Sequence, residues 1–521
     1  MSLDAELIAL DHAATTPLAP GVLAAMCPWL EGVQANPASD HAAGRAARAA
    51  VEAARADVAR LVGASADSLI WTSGATESIN LGIKGALEFY GGAKAHIISS
   101  RVEHRATLDT LRWLTGQGHR VTLLTPDAQG QITLEAVLAA LTPDTRLVSL
   151  MWVNNELGSI TDIPAVATAL RARGVLLHVD AAQAAGWLPI NVAEAPIDLM
   201  SLSAHKLGGP KGVGALYVCR RPRVRLSPLL HGGGQEQGMR SGTLPTHQIV
   251  GFAAAAARRL ARREALSASV GAMREQLWSW LADAVPGLIR NSPVSGSAPI
   301  LNVSVPGVDG ESLRASLPGL LFSSGSACSS ATREPSFVLR ALGHSDALAD
   351  ASLRLSLGEG SDPAQVRKAA TLIAEAVTRL RAVAAGEAPV NIALGNVYGY
   401  SSAVWQRFCA LSAVGHVRAG LSVRVASRSD AAWLSVSIEV VGGRLVTAVF
   451  SGQGCPVTLA AGQWFAEQLR HADVRVLSQN WVAAAVAALE ITPEKAHCAV
   501  MIDDLARAML ARLSPQPESP V

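Results

Sequence analysis

The chain has 521 residues, of which 50% are hydrophobic and 17% are charged, and its formal net charge at neutral pH is +2. This composition is typical of a globular protein of about two to four domains and excludes an intrinsically disordered chain. A net charge so close to zero gives no electrostatic reason to bind nucleic acid or an anionic membrane, so we expect neither partner.

The N-terminal stretch MSLDAELIALDHAATTP has no basic segment and no long apolar run. It therefore resembles neither a signal peptide nor a membrane anchor, and we expect a cytoplasmic protein. The six cysteines are too sparse for a disulfide framework and are expected to stay reduced.

Helical and strand patterns alternate between about residues 46 and 250. The strand patterns AHIISS, VTLLT, RLVSLMWV and VLLHVD are short unbroken apolar runs separated by stretches with helical periodicity. This alternation predicts an α/β domain whose parallel sheet is covered by helices on both faces. In such sheets ligands bind at the carboxyl ends of the strands, so the functional residues are expected there.

Two further units follow this region. Residues 253–383 begin with a long helical pattern and continue with the strands PILNVSVPG and LRLSLGE, which predicts an α+β segment. Residues 384–397 lose periodicity and are predicted to be a linker into a separate unit at 398–513. That unit combines a helix at SSAVWQRFCALSAVG, strands within WLSVSIEVVGGRLVTAVFSG, and further helices; the tail 514–521 is predicted to be disordered.

Three polar groups follow predicted strands. Lys206 precedes a glycine-rich turn, Asp180 ends the run VLLHVD, and Gly74, Ala75 and Thr76 open a helix that presents backbone N–H groups to an anion. A lysine with a carboxylate about one strand away is what pyridoxal phosphate (PLP) requires, for its Schiff base and its pyridinium proton. Taken singly, Lys206 could be a solvated loop residue and Asp180 a helix cap.

The chain resembles the cysteine desulfurases of the NifS/IscS type over about residues 8–383. The motifs that carry the resemblance are LDHAATTPL, ANPASDHAAGR, WTSGATESIN, VEHRATLDT, WVNNELGSI, HVDAAQ, SLSAHKLGGPKGVGALYV, GGGQEQGMRSGT, SSGSACSSA and LRLSLG. The resemblance implies a fold-type I, PLP-dependent aminotransferase-like fold. It also implies a mostly parallel seven-stranded large domain (about 15–252), a small α+β domain (about 253–383 plus the N-terminal segment), and a homodimer.

The resemblance implies catalytic roles for several residues. Lys206 would form the Schiff base with the cofactor, and Asp180 would pair with its pyridinium nitrogen. His104 would stack on the cofactor ring and take part in proton transfer. Gln183 would hydrogen-bond the phenolic oxygen of PLP.

Other residues would hold the ends of the cofactor and the substrate. The resemblance implies that the cofactor phosphate is bound by Ala75, Thr76, Ser203 and His205, with Thr243 reaching across from the other subunit. Asn155, which also contacts the cofactor, and Arg354 would hold the substrate carboxylate, since a guanidinium binds a carboxylate bidentately.

Cys328 lies in SSGSACSSATREPS, among small polar residues that form no core. The resemblance makes it the thiolate that takes sulfur from L-cysteine as a persulfide, leaving L-alanine. Two positions depart from the family pattern, Gln237 and Glu359, where arginine is usual. Neither departure removes a residue with an assigned role.

The C-terminal unit resembles the NifU/IscU-type iron–sulfur scaffolds at FSGQGCPVTLAAG and TPEKAHCAVMIDDLARAML. Cys455 and Cys498 match two of the family's cluster ligands, whereas Asp430 stands in place of another cysteine. The resemblance implies an iron–sulfur cluster or a zinc ion held by Asp430, Cys455 and Cys498, with His497 beside them. Alternatively, the cluster or zinc is shared with Cys328. Two alternatives stay open, a tethered persulfide relay and a docking module without chemistry.

The resemblance implies a PLP-dependent cysteine desulfurase that supplies sulfur to iron–sulfur scaffold proteins or other acceptors. The alternatives are a selenocysteine or cysteine-sulfinate lyase, another fold-type I enzyme, and a sulfur-carrier or assembly hub.

Overall fold

A computed structural model of the chain describes residues 7–32, 35–92, 94–324, 334–389, 391, 394–427 and 431–513. Within these ranges no helix has both the length and the apolar character needed to cross a membrane.

The first part of the chain builds one large sheet. Its elements are β1 (Ile8–Ala9), α1 (Val22–Met26), α2 (Pro28–Glu31), α3 (Ala42–Leu61), β2 (Leu69–Thr72), α4 (Ala75–Tyr90), β3 (His96–Ser100), α5 (Arg105–Gly116), β4 (Arg120–Leu124), α6 (Leu134–Ala140), β5 (Thr145–Met151), α7 (Ile163–Arg171), β6 (Leu176–Asp180), β7 (Leu199–Ser203) and β8 (Gly214–Val218). Seven strands pair in the order β2-β8-β7-β6-β5-β3-β4. Within this sheet, β8 runs antiparallel to both neighbours and the other pairings are parallel, so the sheet is mixed but mostly parallel, as predicted.

The continuous burial of the central strands explains their unbroken apolar sequences. Every residue of β3, β7 and β8 is buried, as expected for strands covered on both faces. The connection from β7 to β8 is short and reverses the chain direction, and Lys206 lies in its first turn. Because β7 is parallel to β6, Lys206 lies at the edge of the sheet where the parallel strands end.

The second part of the chain forms a smaller α+β unit. Its elements are α8 (Thr246–Ala284), β9 (Ile289–Arg290), β10 (Ile300–Ser304), α9 (Gly310–Ala315), β11 (Leu320–Leu321), α10 (Phe337–Ala341), α11 (Asp346–Asp350), β12 (Ser352–Ser356) and α12 (Pro363–Ala385). The antiparallel sheet has the order β12-β10-β9, and the N-terminal strand β1 pairs in parallel with β11. The N-terminal segment is thereby fixed next to the small sheet.

The C-terminal unit packs helices on a three-stranded sheet. Its elements are α13 (Ser402–Cys409), β13 (Leu421–Ala426), β14 (Trp433–Val441), β15 (Arg444–Gln453), α14 (Pro456–Leu469), α15 (Trp481–Leu489) and α16 (Ala496–Leu513). The strands pair antiparallel in the order β13-β14-β15. The sequence predicted the β14–β15 hairpin, but it missed β13 and extended the first helix beyond its observed end at Cys409.

A continuous apolar core joins the C-terminal unit to the small domain. Buried side chains of α12, such as Ile373, belong to the same cluster as Phe408 and Phe450 of the C-terminal unit. The guanidinium of Arg379 lies over the Phe408 ring, 4.9 Å from its centroid, and donates a hydrogen bond to the Phe408 carbonyl. The two units are therefore packed against each other across the predicted linker.

Candidate active site

A cavity of about 530 Å³ opens at the carboxyl ends of the parallel strands. Its walls come from the loops after β3, β5, β6 and β7, from the start of α4, and from the N-terminal segment. Most predicted site residues line it: Ala75, Thr76, His104, Asn155, Asp180, Gln183, Ser203, His205, Lys206 and Arg354. The fold thus collects at one place residues that are up to 279 positions apart in the chain, from Ala75 to Arg354.

The amine of Lys206 is anchored by the N-terminal segment. Its Nζ donates to the carbonyl of Ala14 at 2.7 Å and also to the carbonyl of Ala13. Gln183 donates from Nε2 to the same Ala13 carbonyl at 2.8 Å. The segment after β1 therefore fixes two polar side chains of the cavity through backbone carbonyls.

Asp180 is a buried carboxylate at the end of β6, only 6% exposed. Its Oδ1 accepts the backbone N–H of Ala182 at 3.0 Å. A turn and not a helix follows β6, so Asp180 stabilises that turn and is not the helix cap of the alternative interpretation. Burial raises the pKa of Asp180, while this hydrogen bond and the charges of His104 and Lys206 act in the opposite direction. A cationic group bound in the cavity would stabilise the ionised carboxylate.

Another part of the cavity wall is suited to an anion. Ser203 Oγ is buried and has no hydrogen-bond partner among the described residues. Gly74, just before α4, has a φ of 154° and open space where a Cβ would lie, which leaves the helix N-terminus accessible. Burial and the nearby charges of Lys206 and Lys211 lower the pKa of His205 to about 4, so its ring is neutral at pH 7.

His104 caps α5, and its hydrogen bond assigns its tautomer. The ring Nδ1 accepts the backbone N–H of Ala106 at 3.1 Å, which places the proton of the neutral ring on Nε2. The neighbouring Glu103 is 1% exposed, and burial raises its pKa to about 8. The sequence pattern gave no signal for this protonated carboxyl group behind the site.

Arg354 on β12 is held in place by two partners. Its Nη2 lies 2.9 Å from Asp11 Oδ1, and its Nη1 donates to the carbonyl of Asn155 at 3.0 Å. The buried Nε has no hydrogen-bond partner within the described ranges. Ser323 Oγ also lies 2.9 Å from each oxygen of Asp11. The sequence identified Arg354 but missed Asp11.

Thr243, Cys328, Gln237 and Glu359, which the sequence also singled out, lie outside this cavity or outside the described residues. Thr243 is exposed and does not line the cavity of its own chain, and its contact with the partner subunit stays a prediction. Cys328 lies outside the described residues. Gln237 and Glu359, the two departures from the family pattern, form contacts elsewhere. Gln237 Oε1 accepts a hydrogen bond from Arg220 Nη2 at 2.5 Å, and Glu359 forms an ion pair with Arg258, also at 2.5 Å.

The cavity fits PLP on its own residues. The unpartnered Ser203 hydroxyl and the open N-terminus of α4 suit a phosphate, the buried Asp180 suits a protonated ring nitrogen, and Lys206 supplies the amine.

Residues 8–368 match the family described as Aminotransferase class-V. Over 377 residues, the chain is 48% identical to the cysteine desulfurase IscS of Shewanella baltica (strain OS223), a match that covers 72% of this chain and 93% of that relative. The chain belongs to the IscS-type cysteine desulfurases of the class-V aminotransferase family. Among solved structures it is similar to a NifS-like protein, with a TM-score of 0.67, 33% identity, and coverage of 71% of this chain and 99% of that one. It is also similar to SspA in complex with cysteine, with a TM-score of 0.62, 38% identity, and coverage of 67% and 99%.

This class-V chain has a second polar cavity, between the small domain and the C-terminal unit, of about 630 Å³. Asp309 and Glu311 of the small domain line one side, whereas Cys455, Lys495 and His497 line the other. Two direct contacts join the sides: Lys495 forms an ion pair with Glu311, and Ser312 Oγ donates to the Gly454 carbonyl at 2.7 Å.

Cys455 lines this cavity, and Cys498 lies behind it with the two sulfur atoms 3.8 Å apart. Their pairing and the Lys495 ammonium lower the pKa of the Cys455 thiol to about 5, against the effect of burial. The same pairing, with burial, raises the pKa of the Cys498 thiol. The pairing therefore favours ionisation of Cys455 over that of Cys498.

The structure describes only part of the predicted set of metal ligands. Cys328 and Asp430 lie outside the described residues, while Cys455 and Cys498 are adjacent. In the described part of the chain, no three His, Cys, Asp or Glu side chains form a group that could hold a metal ion. The metal or cluster site stays a prediction.

Proposed function

We propose that this chain is a PLP-dependent cysteine desulfurase, which converts L-cysteine to L-alanine and transfers the sulfur to Cys328 as a persulfide for iron–sulfur cluster assembly. The observation that carries the proposal is the 48% identity to an IscS over almost the whole of that relative. The arrangement of Lys206, Asp180 and Arg354 around one cavity supports it.

The substrate carboxylate is bound by Arg354, whose orientation is fixed by Asp11 and the Asn155 carbonyl. A guanidinium held from two sides loses little conformational freedom when a carboxylate binds. The substrate amino group then lies toward Lys206, which lines the same cavity.

When bound, PLP supplies an electron sink that acidifies the Cα proton of the amino acid. Lys206 acts as the base that takes this proton, and the Ala13 and Ala14 carbonyls stabilise the ammonium that results. His104 carries its own proton on Nε2 and is available for a second proton transfer at the same cavity.

Cys328 is the sulfur acceptor in this proposal. Its thiolate attacks the substrate sulfur, the bond between Cβ and sulfur breaks, and Cys328 retains the sulfur as S–SH. Protonation of the remaining three-carbon unit gives L-alanine.

The proposal extends to assembly and location. The enzyme is a cytoplasmic homodimer in which Thr243 completes the partner's phosphate site. The C-terminal unit is a divergent NifU/IscU-like domain. Its packing on α12 and its polar contacts with α9 support a role close to the desulfurase.

The test compares L-alanine formation from L-cysteine by the PLP-loaded chain and its Lys206→Ala variant. Loss of a general base predicts a decrease of at least about 10³-fold. The exposed Lys94→Ala variant is the control and should match the unsubstituted enzyme. Equal rates for Lys206→Ala and the unsubstituted enzyme would refute the proposal.

A further inference from the structure

We infer that Cys455 and Cys498 form a redox-active dithiol, which takes the sulfane sulfur of a persulfide, releases it as sulfide and closes to a disulfide. The inference rests on the proposed function only for the source of the persulfide. It assigns the C-terminal unit a reaction of its own.

The two sulfur atoms are already close. They lie 3.8 Å apart, and Thr458 Oγ1 is 3.4 Å from Cys455 Sγ and 3.3 Å from Cys498 Sγ. Cys455 directly precedes α14, and Cys498 lies in the first turn of α16. A disulfide requires a separation of about 2 Å between the sulfur atoms, so side-chain rotation at two neighbouring helix ends can close the remaining gap.

The two cysteines differ in access. Cys455 lines the 630 Å³ cavity, whereas Cys498 does not line it and is 0% exposed. A sulfur donor entering the cavity therefore meets Cys455 first, and Cys498 lies behind it. This is the arrangement of an attacking thiol and a resolving thiol.

The surroundings favour a thiolate on the accessible cysteine. Lys495 lies on the same cavity, and Cys455 is at the N-terminal end of α14, where the helix dipole stabilises a negative charge. Asp309 and Glu311 of the small domain line the other side of the same cavity. Cys455 is therefore the cysteine of the pair that a sulfur donor in the cavity reaches first.

The reaction takes place in two balanced steps. First, the Cys455 thiolate attacks the outer sulfur of a persulfide R–S–SH, which gives Cys455–S–SH and the thiolate RS⁻. In the second step, the Cys498 thiol gives its proton to His497, and the resulting thiolate attacks the Cys455 sulfur of Cys455–S–SH. The Cys455–Cys498 disulfide forms, and the outer sulfur leaves as HS⁻. The sulfane sulfur is reduced to sulfide while two thiols are oxidised.

His497 and Thr458 are placed to assist the second step. His497 Nε2 lies 3.4 Å from Cys498 Sγ, within reach of the thiol proton. The Thr458 hydroxyl touches both sulfur atoms and can donate to the departing sulfide. Repeated turnover requires a dithiol reductant to reopen the disulfide.

The test uses the full-length, reduced Cys328→Ser chain with glutathione persulfide and no other reductant. We expect about one glutathione and one sulfide per chain, together with the loss of two alkylatable thiols and the appearance of a disulfide-linked peptide containing Cys455 and Cys498. Sulfide release with both thiols still alkylatable would overturn the inference, as would two unreactive thiols held by a bound metal.

Two substitutions in the same background separate the steps. With Cys498→Ser, glutathione should be released without sulfide, and the persulfide should stay on Cys455. The half-buried Cys409→Ser is the matched control and should behave like the parent. Unchanged sulfide release from Cys498→Ser contradicts the inference. If circular dichroism shows that this variant is unfolded, the loss of two alkylatable thiols in the Cys328→Ser parent decides whether the inference holds.

A parallel incubation of the unsubstituted chain with PLP and L-cysteine separates this inference from the proposed function. Disulfide formation with glutathione persulfide but no L-alanine from L-cysteine refutes the desulfurase and leaves the dithiol intact. If L-alanine forms but Cys455 and Cys498 stay reduced with both glutathione persulfide and L-cysteine, the dithiol inference is refuted and the desulfurase stands.

Discussion

Asp11 holds Arg354 in the active-site cavity through an ion pair of 2.9 Å, although 343 residues separate them in the chain. Arg354 is 4% exposed at its side chain and Asp11 is 27% exposed. The pair joins the N-terminal segment to β12, so the position of the Arg354 guanidinium depends on the position of the first strand.

Replacing Asp11 should affect both stability and substrate binding. In Asp11→Ala the buried guanidinium loses its counter-ion, which we expect to cost about 2 to 3 kcal/mol of unfolding free energy. The KM for L-cysteine should rise about tenfold, a loss of about 1.4 kcal/mol, with a smaller change in kcat. Urea unfolding and steady-state kinetics measure these effects.

The control for Asp11 is the more exposed ion pair between Arg340 and Asp346, 2.6 Å apart. Asp346→Ala should cost less than about 1 kcal/mol and leave KM unchanged. Equal effects of the two substitutions would show that Asp11 does not position Arg354.

Ser203 should matter for the cofactor and not for the fold. Its buried hydroxyl has no partner among the described residues, so Ser203→Ala should leave the stability of the cofactor-free chain unchanged. The affinity for PLP should fall about tenfold through the lost hydrogen bond. Fluorescence titration with PLP and thermal unfolding measure the two quantities.

Ser201, two residues earlier on β7, is the matched control for Ser203. Its Oγ lies 2.8 Å from His178 Nε2. Ser201→Ala should therefore cost about 1 kcal/mol of stability without a change in PLP affinity. The reverse pattern would mean that Ser203 does not contact the phosphate.

Glu103 should make the stability of the protein depend on pH. Burial raises its pKa from 4.5 to about 8, so between these values the folded chain keeps a proton that the unfolded chain has lost. The contribution of Glu103 to the free energy of unfolding is therefore fully present below about pH 4.5 and is lost as the pH rises to about 8. Glu103→Gln should flatten the decline of unfolding free energy over this range.

Urea unfolding at pH 5, 6, 7 and 8 measures the slope. The exposed Glu88→Gln is the control and should decline in parallel with the unsubstituted chain. A Glu103→Gln curve that also runs parallel would show that Glu103 is ionised in the folded state.

Lys495 should control the reactivity of Cys455. Its ammonium helps to lower the thiol pKa to about 5, so Lys495→Ala should shift the midpoint of the pH dependence of Cys455 alkylation upward. At pH 6 the alkylation rate should fall several-fold, as measured by mass spectrometry of iodoacetamide-treated protein. Arg507→Ala removes an exposed cation from helix α16, which begins directly after Lys495, and should leave the midpoint in place. A shift of equal size in both variants would contradict the role of Lys495.

The sequence predicted the parts of the site that follow from local patterns. Lys206 and Asp180 lie at the ends of strand patterns, and the parallel sheet brings the ends of such strands together. His104 was named only through the family resemblance. Asp11, Ala13 and the ion pair of Arg354 could not be predicted in this way, because the contacts cross more than 150 residues and depend on the placement of the N-terminal segment.

The C-terminal unit likewise has features that local sequence patterns predict and features that they do not. Its hairpin and last helix were predicted from periodicity and alternation, whereas β13 was missed because LSVRVA is short and only partly buried. The cavity shared by Asp309 and Cys455 arises from packing between two units that the sequence separated by a linker. No local pattern reports such a contact.

The central claim is that L-cysteine gives up its sulfur to Cys328. The most direct measurement is incubation of the PLP-loaded chain with L-cysteine without reductant, followed by differential alkylation and mass spectrometry of every cysteine peptide. The account predicts a persulfide on Cys328 together with L-alanine, and no persulfide on any cysteine in the Lys206→Ala variant. L-alanine formed at the full rate by a Cys328→Ser variant, or an unsubstituted chain without a persulfide at Cys328, would contradict it.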